Sequence, residues 1–153
     1  MSAPLRRRFA TDDGLTLVAD VYGPPEAPPV LLQHGGGQTR HAWGGTARAL
    51  AERGFQALAL DLRGHGESDW DPAGDYRFER FARDTLAVAR TLERAPAVVG
   101  ASLGGLAALL ASAAGEGQGL AALVLVDIAP RMDAAGALAP ARVRMAGGRL
   151  ILR

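Results

Sequence analysis

Apolar positions along this chain recur with two periods, one suited to strands and one to helices. Arg6–Phe9 and Leu15–Tyr22 read as short strands joined by Thr11-Asp12-Asp13-Gly14, whose Asp-Gly pair signals a hairpin turn. The Pro-rich stretch from Gly23 to Pro29 cannot continue a ladder, because proline has no N–H to donate. Val30–Gln33 is then a short buried strand that runs into glycines. Trp43, Ala47, Leu50 and Ala51 recur at helical spacing, and Gly54 stands where a helix ends in a left-handed glycine. Phe55–Leu60 is an apolar run between that glycine and Asp61, hence a strand. A loop rich in Gly and Asp follows, from Asp61 to Gly74. Phe78, Phe81, Ala82, Thr85, Val88, Ala89 and Leu92 mark one face of an amphipathic helix, with Arg and Glu opposite.

After Pro96 the pattern tightens into a strand at Ala97–Gly100, a helix at Leu103–Ala114 and a strand at Leu120–Val126. The helix carries no charge, so it is expected to be buried on most sides. Leu123-Val124-Leu125-Val126 is apolar at every position, as expected of a parallel strand covered on both faces. Strands alternating with helices predict an α/β fold: a mostly parallel sheet, helices on both faces, right-handed crossovers. From Arg131 the chain becomes rich in Ala, Gly and Arg, with weak periodicity. The expected division is a core over 1–130 and a tail of uncertain structure over 131–153.

Composition narrows the function classes. At 153 residues the chain has the length of one domain. It holds 17 basic residues, all Arg, against 16 acidic ones, a balance that argues against a dedicated nucleic-acid binder. Zero Cys excludes a disulfide framework, a Cys-type zinc site and a thiol nucleophile. Met1–Ala10 has three consecutive Arg but no apolar run of a secretory signal. The longest apolar stretches are too short to cross a bilayer. The expectation is a soluble cytoplasmic protein with no nucleic-acid or membrane partner and no cofactor or metal.

Three stretches carry chemistry. Gly100-Ala101-Ser102-Leu103-Gly104 is a G-x-S-x-G pentapeptide with a strand directly before it and a helix directly after. That context is a nucleophile elbow: Ser102 sits on a strained strand-to-helix turn, small neighbours let the helix approach the strand, and the helix N-terminus points N–H groups at a developing oxyanion. The competing reading is a glycine-softened turn with an incidental serine. His34-Gly35-Gly36-Gly37 ends a central strand, and its glycines expose N–H groups to a ligand. A phosphate cradle is the rival there, but no G-x-x-x-x-G-K-[ST] follows. His34 reads as a structural hydrogen-bonding residue. Asp61-Leu62-Arg63-Gly64-His65-Gly66-Glu67-Ser68 reads as a tight loop whose charged groups pair with one another, with His65 as loop architecture rather than a base.

In this order the stretches LLQHGGGQTRHAWG, ALALDLRGHGESD, VVGASLGG and LVLVDIAP resemble the α/β-hydrolase superfamily, from about Leu15 to Pro130. The resemblance implies that Ser102 is the nucleophile and that the N–H groups of Leu103 and Gly36 form the oxyanion hole. It implies attack on a small-molecule ester, amide, lactone or related carbonyl through an acyl-enzyme, with no cofactor. Asp127, closing the last strand, matches the acid position of a few members, and a structural Asp capping the loop is the alternative. The family's lid, last strands and triad His would follow Pro130, and this chain has only His34, His41 and His65, all before Ser102. The resemblance therefore implies a chain truncated before the lid. The alternative is an inactive truncated hydrolase that binds a small ligand or has no function, and in such a chain the last apolar strand becomes an exposed edge open to self-association.

Overall fold

The computed structural model describes residues 3–114 and 119–128 in full, and between 131 and 152 the backbone of four short strands. Six strands form the main sheet: β1 (Leu5–Ala10), β2 (Thr16–Tyr22), β3 (Pro29–Gln33), β4 (Gln56–Leu60), β5 (Ala97–Ala101) and β6 (Ala122–Val126), in the order β1-β2-β4-β3-β5-β6. β1, β2 and β4 pair antiparallel, while β4, β3, β5 and β6 pair parallel. The expected mostly parallel α/β sheet is thus present, and each expected strand lies within two residues of its observed limits.

Alternation along the central strands assigns side chains to two faces. Leu31, Leu58, Leu60 and Val98 point to one face, where α2 (Phe78–Arg90) and α3 (Leu103–Ala114) cover them with Phe81, Val88, Ala107 and Ala108. Val30, Leu32 and Ala57 point to the other, under α1 (Gly44–Glu52), whose Ala47 is fully buried. β3 and β4, in the middle, are buried at every position. Gly54 ends α1 at φ 86°, as its position predicts.

Three expectations are corrected. β6 is not covered on both faces. Its positions alternate between exposed and half-buried, with Val124 49% and Val126 39% exposed on the α1 side. It is the outermost strand of the sheet, and α1 covers β3 and β4 instead. α3 is fully buried on one face and only half-buried on the rest from Leu103 to Ala111, with Ser112 to Ala114 exposed at its end. Phe78 is 51% exposed, because it opens the first turn of α2 before the helix meets the sheet, whereas Asp84 is buried on that helix's inner face.

Of the expected tail, β7 (Arg131–Met132) pairs with β8 (Leu138–Ala139), and β9 (Val143–Ala146) with β10 (Arg149–Leu152). The rest of it lies outside the described residues.

Candidate active site

The elbow is built as its sequence demands. β5 ends at Ala101, α3 starts at Leu103, and Ser102 between them takes φ 46°, a conformation that costs a non-glycine residue roughly 1–2 kcal/mol. The turn is fastened on three sides. The Ser102 N–H donates to the Val126 carbonyl oxygen at 3.2 Å, the Gly104 N–H to His34 O at 3.1 Å, and the Leu106 N–H to Ser102 O at 2.9 Å. The Gly104 N–H is therefore occupied, while the Leu103 N–H has no partner among the described residues. Ser102 itself is exposed.

The glycine loop after β3 lies against this turn. A Cβ built on Gly35 would stand 3.5 Å from Ser102 Cβ, and one on Gly36 would stand 3.8 Å from Leu103 Cδ2. Gly35 N–H donates to Gln38 Oε1 at 3.0 Å, and Gln38 N–H returns a bond to Gly35 O at 3.1 Å. The loops bearing Gly36 and Leu103 thus meet at the carboxyl ends of β3 and β5, where open α/β sheets bind ligands. Asp127, directly after β6, has φ 53° and is exposed. It and Ser102 are the described non-glycine residues with positive φ, and they end neighbouring strands.

None of the three histidines bonds to the Ser102 hydroxyl. His34 is buried, donating from Nδ1 to Gly35 O at 2.8 Å and accepting the Leu62 N–H at Nε2, 3.1 Å away. Burial holds it below the usual imidazole range, so it stays neutral in this role. His65 uses both ring nitrogens in the same way, toward Arg63 O and the Gly37 N–H. His41 is exposed on the 3-10 turn at Arg40–Trp43. Among the described residues no three His, Cys, Asp or Glu side chains gather as a metal site.

Sequence reasoning missed two buried arginines that shape the rim. Arg63 is fully buried and spends five N–H bonds. Two go to Asp84, each at 2.7 Å, two to Asp13 at 3.0 and 3.1 Å, and one to Asp75 O at 3.2 Å. Arg40 is 2% exposed and sits among three carboxylates: Asp61 at 2.5 Å, Asp20 at 3.0 Å, and Glu67. Burial works against both cations, but the carboxylate bonds outweigh it and hold both guanidiniums charged. Arg40 and Asp61 join the loops after β3 and β4, since Asp61 also accepts the Arg40 and Glu67 backbone N–H groups at 2.6 and 2.9 Å.

A family model described as the alpha/beta hydrolase fold matches residues 28–146. The chain belongs to that family. An esterase of Mycobacterium tuberculosis is 44% identical over 106 residues, covering 68% of this chain and 34% of the relative. A bifunctional esterase/perhydrolase of Acinetobacter calcoaceticus is 34% identical over 98 residues, 62% of this chain and 34% of its own length. The crystal structure of an esterase from a Rhodococcus species superposes with TM-score 0.68 at 32% identity, covering 79% of this chain and 45% of that one. This hydrolase-fold chain thus spans between 28% and 50% of the length of the proteins it matches. Among its described residues no helix is long and apolar enough to cross a membrane.

Proposed function

We propose that the chain carries the acylation site of a serine esterase of the alpha/beta hydrolase family acting on small-molecule esters. The observation that carries this reading is Ser102: exposed, at φ 46°, on a strand-to-helix turn with the glycine loop packed against it. Backbone strain of this kind persists where the surrounding structure enforces it, and it clusters at reactive sites. In this reading Ser102 Oγ attacks the ester carbonyl, and the N–H groups of Leu103 and Gly36 receive the oxyanion. The alcohol leaves with a proton, and water then releases the acid from the acyl-serine. The proton of Ser102 needs a base, and both His34 and His65 already commit their two nitrogens to loops. Asp127 is the acid candidate, supported by its strained backbone beside the elbow.

The test is hydrolysis of p-nitrophenyl acetate by this chain and by Ser102→Ala. The expected rate is only slightly above the S102A control, since a site short of one triad member keeps about 10³–10⁴-fold over water from the hole and from binding. Peptide mass mapping after long incubation should find the acyl group on Ser102. Acylation elsewhere with Ser102 unmodified rejects the nucleophile. Robust turnover that S102A abolishes assigns the base to His41, His65 or a second chain.

The engagement of both buried-loop imidazoles favours a second reading, a site that binds a small carbonyl compound without turning it over. Self-association through β6 is the partner expectation that the exposed Val124 and Val126 support. Sizing chromatography should show concentration-dependent oligomers that Val124→Lys shifts toward monomer. A wild-type monomer at all concentrations ends that expectation.

A further inference from the structure

The loops after β3 and β4 are cross-braced by a reciprocal pair of histidines. His34, on the β3 loop, accepts the Leu62 N–H of the β4 loop at 3.1 Å, and His65, on the β4 loop, accepts the Gly37 N–H of the β3 loop at 3.0 Å. Each ring then donates from Nδ1 to a carbonyl oxygen of its own loop, Gly35 O at 2.8 Å and Arg63 O at 2.9 Å. A backbone N–H can only donate, so Nε2 of each ring is bare and the proton sits on Nδ1. The ring centroids are 5.0 Å apart.

The consequence falls on Gly36. Peptide groups are planar and trans, so fixing a carbonyl fixes the N–H across the bond to point the opposite way. The Gly35–Gly36 peptide has its carbonyl held by His34 and by the Gln38 N–H, which aims the Gly36 N–H away from both. The Gly36–Gly37 peptide has its N–H held by His65. Both soft dihedrals of Gly36 are thereby pinned, although glycine is the residue most free to move and Gly37 beside it sits at φ 78°. We propose that His65 is a positioning residue of the esterase site: by holding the Gly37 N–H it fixes the peptide after Gly36, and with His34 and Gln38 holding the peptide before it, Gly36 keeps the conformation in which its N–H faces an oxyanion. The proposal rests on reading Gly36 as an oxyanion donor.

Side-chain chemistry separates this role from loop architecture. Glutamine places an amide oxygen near where Nε2 stands, so His65→Gln keeps an acceptor for Gly37. Asparagine is shorter and reproduces only the donor to Arg63 O, so His65→Asn keeps the loop bond and loses the brace. The first measurement is nitrogen-15 NMR of the labelled chain, in which an N–H···N bond couples the Gly37 amide nitrogen to His65 Nε2. That coupling is expected in the wild type, and its absence overturns the brace whatever the site does. Amide exchange at Gly36 and Gly37 should accelerate at least about tenfold in H65N and H65A and stay near wild type in H65Q. Equal exchange in all variants overturns the positioning role.

The second measurement is phenylboronic acid binding followed by boron-11 NMR. Ser102 Oγ bonds to boron, its proton passes to water, and the tetrahedral anion presents an oxygen to the hole. Affinity should fall about tenfold in H65N and H65A, a fraction of the 10²–10³ lost when a hole donor is deleted, and recover in H65Q. Unchanged affinity in H65N with the brace lost overturns the proposal. No boronate adduct in the wild type, with the coupling present, overturns the reading of Ser102 and Gly36 instead. His65 is only half-buried, and all three variants should keep a cooperative melt.

Discussion

Arg63→Met should lower the stability of this chain by about 3–5 kcal/mol, the usual cost of removing one partner of a buried ion pair. Domains of this size hold on the order of 5–15 kcal/mol in all, so the substitution should leave a chain near unfolding. The reason is geometric. Arg63 ties three segments with its five bonds: Asp84 on α2, Asp13 in the β1–β2 hairpin and the Asp75 carbonyl. Methionine keeps the apolar stem but ends short of the guanidinium, so the loss combines charge and hydrogen bonding with the space the head group filled. It strands Asp84, which is 2% exposed. Burial already lifts the Asp84 carboxyl above its ordinary range even beside Arg63, and removing the cation lifts it further. A group whose folded pKa lies above its unfolded value favours the fold when protonated and loses that advantage as pH rises through the folded pKa. The penalty of R63M should therefore be larger at pH 8 than at pH 5. Urea melts at the two pH values check this, with R63M/D84L expected to regain part of the loss. A penalty below about 1 kcal/mol, or one that grows on acidification, would show that Asp84 finds another partner.

Neither arginine was legible in the sequence, and the reason is range. The partners of Arg63 lie 12, 21 and 50 residues away, and those of Arg40 are 20, 21 and 27 residues away, so no local period announces them. Asp84 did leave a trace. With Phe81, Thr85 and Val88 it falls on one helical face, so its spacing points inward although the apolar face read from the sequence does not include it. Where apolar pattern and turn chemistry act within a few residues, the reading held: the six strands, α1 ending at Gly54, and a strand-to-helix turn at Ser102. β6 shows the limit of that signal. A run of five apolar residues says that a strand can be buried on both faces, but not whether anything stands there to bury it. The closeness of Gly35 and Gly36 to the elbow followed from strand order, because β3 lies beside β5. The histidine brace did not, since ring orientation depends on where two loops happen to cross.

Gly100→Ala is the other change expected to be severe. β5 and α3 touch through backbone at this point, and a Cβ on Gly100 would stand 2.5 Å from both the nitrogen and the Cα of Gly105. These are main-chain atoms, so no side chain can swing aside. Relief requires α3 to lift from β5, and α3 is held by the Gly104 N–H on His34 O and by the fully buried Ala107, Ala108 and Ala111. Overpacking against a fixed backbone costs about 3 kcal/mol, at the high end for such changes. The damage should extend to chemistry, because the end of α3 that must lift carries the Leu103 N–H and sets the turn of Ser102. Gly45→Ala is the matched control: its Cβ would meet nothing within 4 Å, in a helix where alanine is the better residue by up to about 1 kcal/mol. Denaturant melts should place G45A at or above the wild type and G100A far below it, and boronate binding should survive only in G45A. A G100A chain that melts with the wild type would mean that β5 and α3 are not in backbone contact, and the elbow geometry argued from that contact would fall with it.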